Sequence, residues 1–385
     1  MRAAGTLVRN GDPGQAGARV AREALASLGG ATPSFAVLFA SSHFHRRADA
    51  LLAAVTAETG RIPLIGCVGE SVIGGAREIE NDPAVSLLVC ADAGVVESYE
   101  MQFLRTGGGG AFGGYLFEPS QGGAHLMICD PYGFPADVLL DHLNDRAPGM
   151  VVMGGMASAG SPQQQSRLFR DGTVQSGGAV GLRLADVEVH PLVSQGCRPV
   201  GDPFTVTAAQ ANVIYELGGR KAWARLRELA ERLTGADREL LAAGVHLGIV
   251  IDEYRADQGQ GDFLIRGVLG ADTESEAIVV GDEVAVGQTV QFHIRDASSA
   301  DADLRRVLER EAADLTGRRP AGALLFSCNG RGSRLFSEPD HDAGLVTKAF
   351  GDIPVAGFFC AGELGPVGGR NFVHAFTASI AVFAS

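Results

Sequence analysis

One pattern recurs three times along this chain, and it constrains the fold more than any composition could. It begins in PSFAVLFASSHFHRRADALLAAVTAETGRIPLIGCVGES, residues 33 to 71. An apolar run of strand length leads into a polar loop. A helix-like stretch follows, with Leu51, Leu52 and Val55 on one face, and then a short apolar run with Gly66 that ends in GES. Residues 320 to 365, PAGALLFSCNGRGSRLFSEPDHDAGLVTKAFGDIPVAGFFCAGELG, keep the same order. So does the middle stretch GGAHLMICDPYGFPADVLLDHLNDRAPGMVVMGGMASAGS, where Gly154 and Gly155 take the glycine place. Each copy leads into a hairpin-like run, clearest in RLFRDGTVQSGGAVGLRL, whose Asp-Gly is a strong turn signal.

A strand, a helix and a second strand of this length allow parallel pairing. Runs such as AVLFA and ALLFS do not alternate, which is expected of strands covered on both faces. VHLGIVIDEY and GDFLIRGVLG read as antiparallel strands around a polar loop at 255 to 261. VGQTVQFHIRD ends that block, and a helix from about Ala300 to Leu315 follows. The glycine run at 107 to 114 reads as a flexible connector. Trp223 and the leucines after it read as the packed face of an amphipathic helix. The expected architecture is α/β, with mixed sheets built from repeated strand–helix–strand–hairpin units. Two domains are expected, 1–219 and 220–385, with the break near ELGG.

Composition narrows the function classes. A formal net charge of −13 and the lack of any basic run argue against nucleic acid. Thirty of the 32 basic residues are Arg, so a single Arg is weak evidence for bidentate recognition. The N-terminal stretch has no apolar core of a secretion signal, and no run is long enough to span a membrane; a cytoplasmic protein is expected. The six cysteines are scattered, without C-x-x-C or zinc spacing, and read as reduced and buried. His43 and His45 lack a third ligand, so neither a metal nor another cofactor is expected.

In α/β sheets, ligands bind beyond the carboxyl ends of the strands. The loops there are SSHFHRR, DPYGF and SCNGRG after the first strands, and CVGES, GMASAG and CAGELG after the second. This would bring Cys328, Asn329 and Arg331 near Gly362 and Glu363, and Ser41, His43 and His45 near Gly69 and Glu70. The loop SCNGRG admits four readings. Cys328 as a nucleophile needs a base that Arg331 cannot be, leaving His341, His374, His43 or His45 to serve. A phosphate cradle needs glycines running into a helix, and a proline follows too soon. A structural reading pairs Arg331 with Glu363. The favoured reading is a ligand loop in which Arg331 and backbone N–H groups hold a carboxylate while Glu363 faces an ammonium. It makes the C-terminal unit the main pocket.

SCNGRG, IPVAGFFCAGELGPV and FVHAFTASIAVF together resemble the end of the FIST C-terminal domain. Its Cys-x-x-Arg falls on Cys328 and Arg331, and its Gly-Glu-x-x-Pro on Gly362, Glu363 and Pro366. GDFLIRGVLGAD and VAVGQTVQFHIRD are similar to the same domain, and PLIGCVGESVIG is similar to the FIST N-terminal domain. The chain departs from the family at HAFT, where an Asn is expected near His374. The resemblance implies a bacterial intracellular sensory protein that binds a small ligand, with amino acids favoured. Cys328, Asn329, Arg331, Gly332, Gly362, Glu363 and His374 are the candidate ligand-binding residues, and no catalytic or metal residue is expected. With no kinase, cyclase or chemotaxis module, such a chain would signal through a separate protein; a homo-oligomer is compatible with this. The alternatives are a hydrolase or transferase using Cys328, and an interaction scaffold, as in a eukaryotic F-box relative of the domain pair.

Overall fold

Three glycines show why the repeated pattern folds as it does. In a computed structural model describing residues 1–107, 109–255, 258–315 and 317–384, each copy forms a parallel strand pair. Pro33–Ala40 lies beside Leu64–Val68, Ala124–Cys129 beside Val151–Met156, and Gly322–Cys328 beside Val355–Cys360. The connecting helices are Ala48–Thr59, Ala136–Arg146 and His341–Phe350. The registers align Leu38 with Gly66, Met127 with Gly154 and Leu325 with Gly357. A Cβ at these glycines would lie 1.7, 1.9 and 2.0 Å from the partner's carbonyl oxygen. The three copies therefore correspond at this register position, and each needs glycine there.

The hairpins that follow do not stay with their own copies. Val72–Gly74, with Arg77–Ile79 behind it, pairs with the third copy's strand Val355–Cys360. Leu168–Arg170, with Thr173–Gln175, pairs with Leu64–Val68 of the first. Glu363–Val367, with Arg370–His374, pairs with Val151–Met156 of the second. Each copy thus completes another's sheet, and the three exchanges close a ring. Return strands Ala84–Ala91, Ala179–Leu184 and Thr377–Phe383 run antiparallel to the first strands of their own copies. Strands Arg2–Arg9, Val96–Thr106 and Val189–Gln195 extend the sheets outward. In the second hairpin, Asp171 and Gly172 both have positive φ (51° and 102°), the two-residue turn that the Asp-Gly signal implies.

The sheets share one buried core. Phe39, Phe326 and Phe358 meet there, with ring centroids 4.9 to 6.2 Å apart. The opposite sheet faces are covered by helices; Pro13–Ser27 and Ala48–Thr59 cover the first. Burial on both faces explains the non-alternating runs, and each buried Phe contributes roughly 1.5–3 kcal/mol.

The chain forms two compact units, Met1–Val193 with Leu304–Ser385, and Ser194–Asp303. These cuts differ from the expected break at 219/220, because the third copy returns to the sheet ring of the first two. In the second unit, VHLGIVIDEY and GDFLIRGVLG supply the antiparallel strands Val245–Val250 and Phe263–Asp272. Cys197–Gln210 pairs with both Thr289–Arg295 and Val213–Leu217, so this sheet closes on itself. Helix Ala222–Arg232 packs on it, with Trp223 partly buried. Residues 256 and 257 of the expected polar loop lie outside the described residues. The later helix runs from Ala297 to Asp314.

One expectation is overturned. The glycine run is no connector, for Gly109–Gly114 is a strand paired with Val96–Thr106. Gly108 lies outside the described residues. A Cβ at Gly110 would meet the Phe103 ring at 2.1 Å, so this glycine admits an aromatic ring across the pair.

Candidate functional site

The three first-strand loops lie at the carboxyl ends of the parallel pairs, and those of the first and third copies face a segment from another copy. At the third copy, Cys328 ends its strand, and Arg331 turns inward from the loop behind it. Arg331 is wholly buried. Its Nε and Nη2 donate to Asp342 at 2.7 and 2.8 Å. Ser327 Oγ adds a 2.8 Å bond to the same carboxylate, and His341 Nδ1 lies 2.9 Å from it. The His341 ring stacks on Phe336 at 3.4 Å, and the Arg331 guanidinium lies 5.2 Å from that ring's centroid. Burial pushes the Asp342 carboxyl up, but Arg331 and His341 outweigh it and hold the group well below the usual range. The partner of Arg331 is therefore Asp342, correcting the expected Arg331–Glu363 pair. Helix His341–Phe350 brings Asp342, in its first turn, to the guanidinium.

Glu363 is also wholly buried. It accepts from Thr377 Oγ1 at 2.7 Å and from Thr377 N at 3.2 Å. Burial raises its carboxyl to about 8, against the opposing effects of Thr377, the Arg331 charge and the Cys328 thiol. The loop and hairpin thus bring Cys328, Arg331 and Glu363 into one electrostatic cluster. Two atoms there have no hydrogen-bond partner among the described residues, Arg331 Nη1 and Glu363 Oε1.

The other expected residues shape this place. Asn329 N donates to Cys360 O at 2.8 Å, and its carbonyl accepts from Arg334 at 2.6 Å. Gly332 has φ 58°, and a Cβ there would lie 2.7 Å from Glu80 Oε1. Gly362 O accepts from Met156 N at 2.8 Å, fastening the third hairpin to the second copy. His374 lies opposite Glu363 in its hairpin, with Nε2 2.9 Å from Gly365 O.

Sequence reasoning missed the acids. Asp342 carried a weak signal, an acidic residue in the first turn of the expected helix. Glu78 carried none. It arrives from the first copy's hairpin and accepts from Ala343 N at 2.9 Å. Burial and then the Asp342 charge raise it to about 8. Glu70 and Glu80 arrive the same way. Glu80 accepts from Ser333 N and Oγ at 2.9 and 2.7 Å, and Glu70 is clasped by both terminal nitrogens of Arg334.

At the first copy, Ser42 N lies 3.5 Å from Glu70 O, so the expected proximity of these loops is present, although the Glu70 carboxylate points to Arg334. His43 Nδ1 is 3.4 Å from Ser41 Oγ, and His45 Nε2 is 3.1 Å from Gln165 O. No three potential metal ligands converge among the described residues. Cavities of about 390 and 440 Å³ open at this loop, and one of about 510 Å³ opens at the second copy's loop, beside Tyr132 and Phe134. No described helix is long and apolar enough to cross a membrane.

The FIST N domain matches residues 34–220 and the FIST C domain residues 225–366. The chain is 48% identical to the uncharacterized protein MT0656 of Mycobacterium tuberculosis, over 97% of each. It is 47% identical to the uncharacterized protein Mb0898c of Mycobacterium bovis, over 97% of this chain and 96% of the other. With both domains matched in order along the same three-copy framework, the chain belongs to the FIST family, whose domains are regarded as small-ligand-binding signalling modules.

Proposed function

We propose that this chain is a cytoplasmic sensory protein for a free amino acid, held between Arg331 and Glu363, and that it signals through a separate protein. The observation that carries this reading is the pair of orphaned atoms, Arg331 Nη1 and Glu363 Oε1, buried in one cluster. Buried polar atoms are seldom left unbonded, and a zwitterion carries the two groups that would satisfy both. Cys328, Asn329, Gly332, Gly362 and His374 shape the same place.

Calorimetric titration of the full chain with the proteinogenic amino acids tests the reading. Glu363→Gln keeps the side chain's shape and removes its negative charge; it should weaken binding by about tenfold or more. Because an ammonium would draw the Glu363 carboxyl down from about 8, binding near neutral pH should release protons, visible as a buffer-dependent heat. A chain that binds no amino acid, or a Glu363→Gln variant of unchanged affinity, defeats the reading.

A further inference from the structure

The cavities at the first copy's loop have an unusual lining. The two adjoin, sharing His45, Arg46 and Gln164. Together their walls carry Arg46, Arg47, Arg167, His43 and His45, and no Asp or Glu. This occurs in a chain of formal net charge −13. Arg46 forms no ion pair or hydrogen bond with any described residue. Arg47 lies 5.9 Å from the Phe44 ring centroid and forms no ion pair or hydrogen bond with any described residue. Arg167 Nη1 donates to Ser176 Oγ at 2.6 Å, and the His45 bond to Gln165 O ties the turn Ser42–Arg47 to the opposite wall.

The equivalent junction of the third copy shows what is missing. There the short turn Gly332–Arg334 also presents an Arg to a segment from another copy. That segment supplies Glu70 and Glu80, and Arg334 is neutralised. At the first junction the facing segment supplies Gln163, Gln164 and Gln165 instead. The same geometry therefore holds an internal counter-ion in one place and leaves cations uncompensated in the other.

We propose that this cationic cavity binds a small phosphate-bearing molecule, inorganic phosphate or a phosphomonoester, as a second site separate from the Arg331–Glu363 place. Guanidinium groups present forked donors that match phosphate oxygens, and the glutamine amides and Ser176 hydroxyl add neutral donors around them. The volumes lie within the usual range for small-molecule sites.

The test is calorimetric titration of the full chain at low salt with inorganic phosphate, glycerol 3-phosphate and, as a dicarboxylate control, malate. Phosphate or glycerol 3-phosphate should bind more tightly than malate, and added salt should weaken the binding. The double variant Arg46→Gln, Arg47→Gln alters two exposed side chains and should lower affinity by about tenfold or more. Gln164→Glu, which restores the carboxylate found at the third junction, should weaken it as well. Amino-acid binding should be unchanged in both variants, which separates this site from the other. No binding of either phosphate probe, tighter binding of malate, or full affinity in the double variant would overturn the proposal.

Discussion

One position in the ring of exchanged hairpins is filled in two ways. Val72, Leu168 and Glu363 occupy the same register place, opposite Phe358, Cys67 and Gly155, each one residue past the obligatory glycine. Val72 and Leu168 belong to the central apolar core. The third hairpin puts a carboxyl there, beside a buried Arg331. An ordinary core needs no such group, and burial drives it toward its neutral form. The difference teaches that the third copy keeps the framework of the other two and uses one core position for something other than packing.

The comparison breaks most severely at the glycines. Ala at position 66, 154 or 357 would drive a Cβ into a backbone carbonyl, and each should destabilise the protein by more than about 3 kcal/mol. Comparable denaturant midpoints for all three variants would uphold the equivalence of the copies; one tolerant site would end it. Next, Asp342→Ala strands the buried Arg331 and should cost about 3–5 kcal/mol, measured in the same way. Wild-type stability would show that Arg331 has another buried counter-charge.

Glu363→Leu converts the third hairpin to the type of the other two. The native Glu363 carboxyl, near 8, lies above its unfolded value of 4.5. Its contribution is therefore complete below about 4.5 and is lost as pH rises through 8. Relative to wild type, the Leu variant should gain stability across that window, on the order of a few kcal/mol. Melting temperatures at pH 5 and pH 8 check this, and a constant difference would contradict it. Glu78, also raised to about 8, acts in the same direction and remains in both proteins. The smallest effect belongs to Glu70→Gln, which should cost less than about 1 kcal/mol and leaves Arg334 beside Glu80 alone. With that carboxylate still in place, phosphate should bind at the third junction far more weakly than at the first; equal affinity would show that the carboxylates do not decide which junction holds an anion.

The three strand–helix–strand copies were legible because strands buried on both faces write unbroken apolar runs, and the strict glycines fell at matching places. The exchange of hairpins was not. It depends on which sheet edge a hairpin meets, and no local residue encodes that. For the same reason the links of Glu78, Glu70 and Glu80 to the third copy were invisible, each lying more than 250 residues from its partner there. Asp342 is only 11 residues from Arg331, yet a proline-containing segment between them hid the pairing. The strand Gly109–Gly114 was lost because its glycines, composition read alone, signify a linker.

The ring of hairpins also sets an order of events during synthesis. The second copy's strand Val151–Met156 has Ala124–Cys129 on one side and finds its other neighbour only in Glu363–Val367. Until those residues leave the ribosome, more than 200 later in the chain, that strand has an open edge, and no one copy can finish its sheet alone. Long-range pairings of this kind fold slowly and expose apolar edges meanwhile. A nascent chain stalled before residue 363 would be a client for chaperones, however well its first two copies had formed.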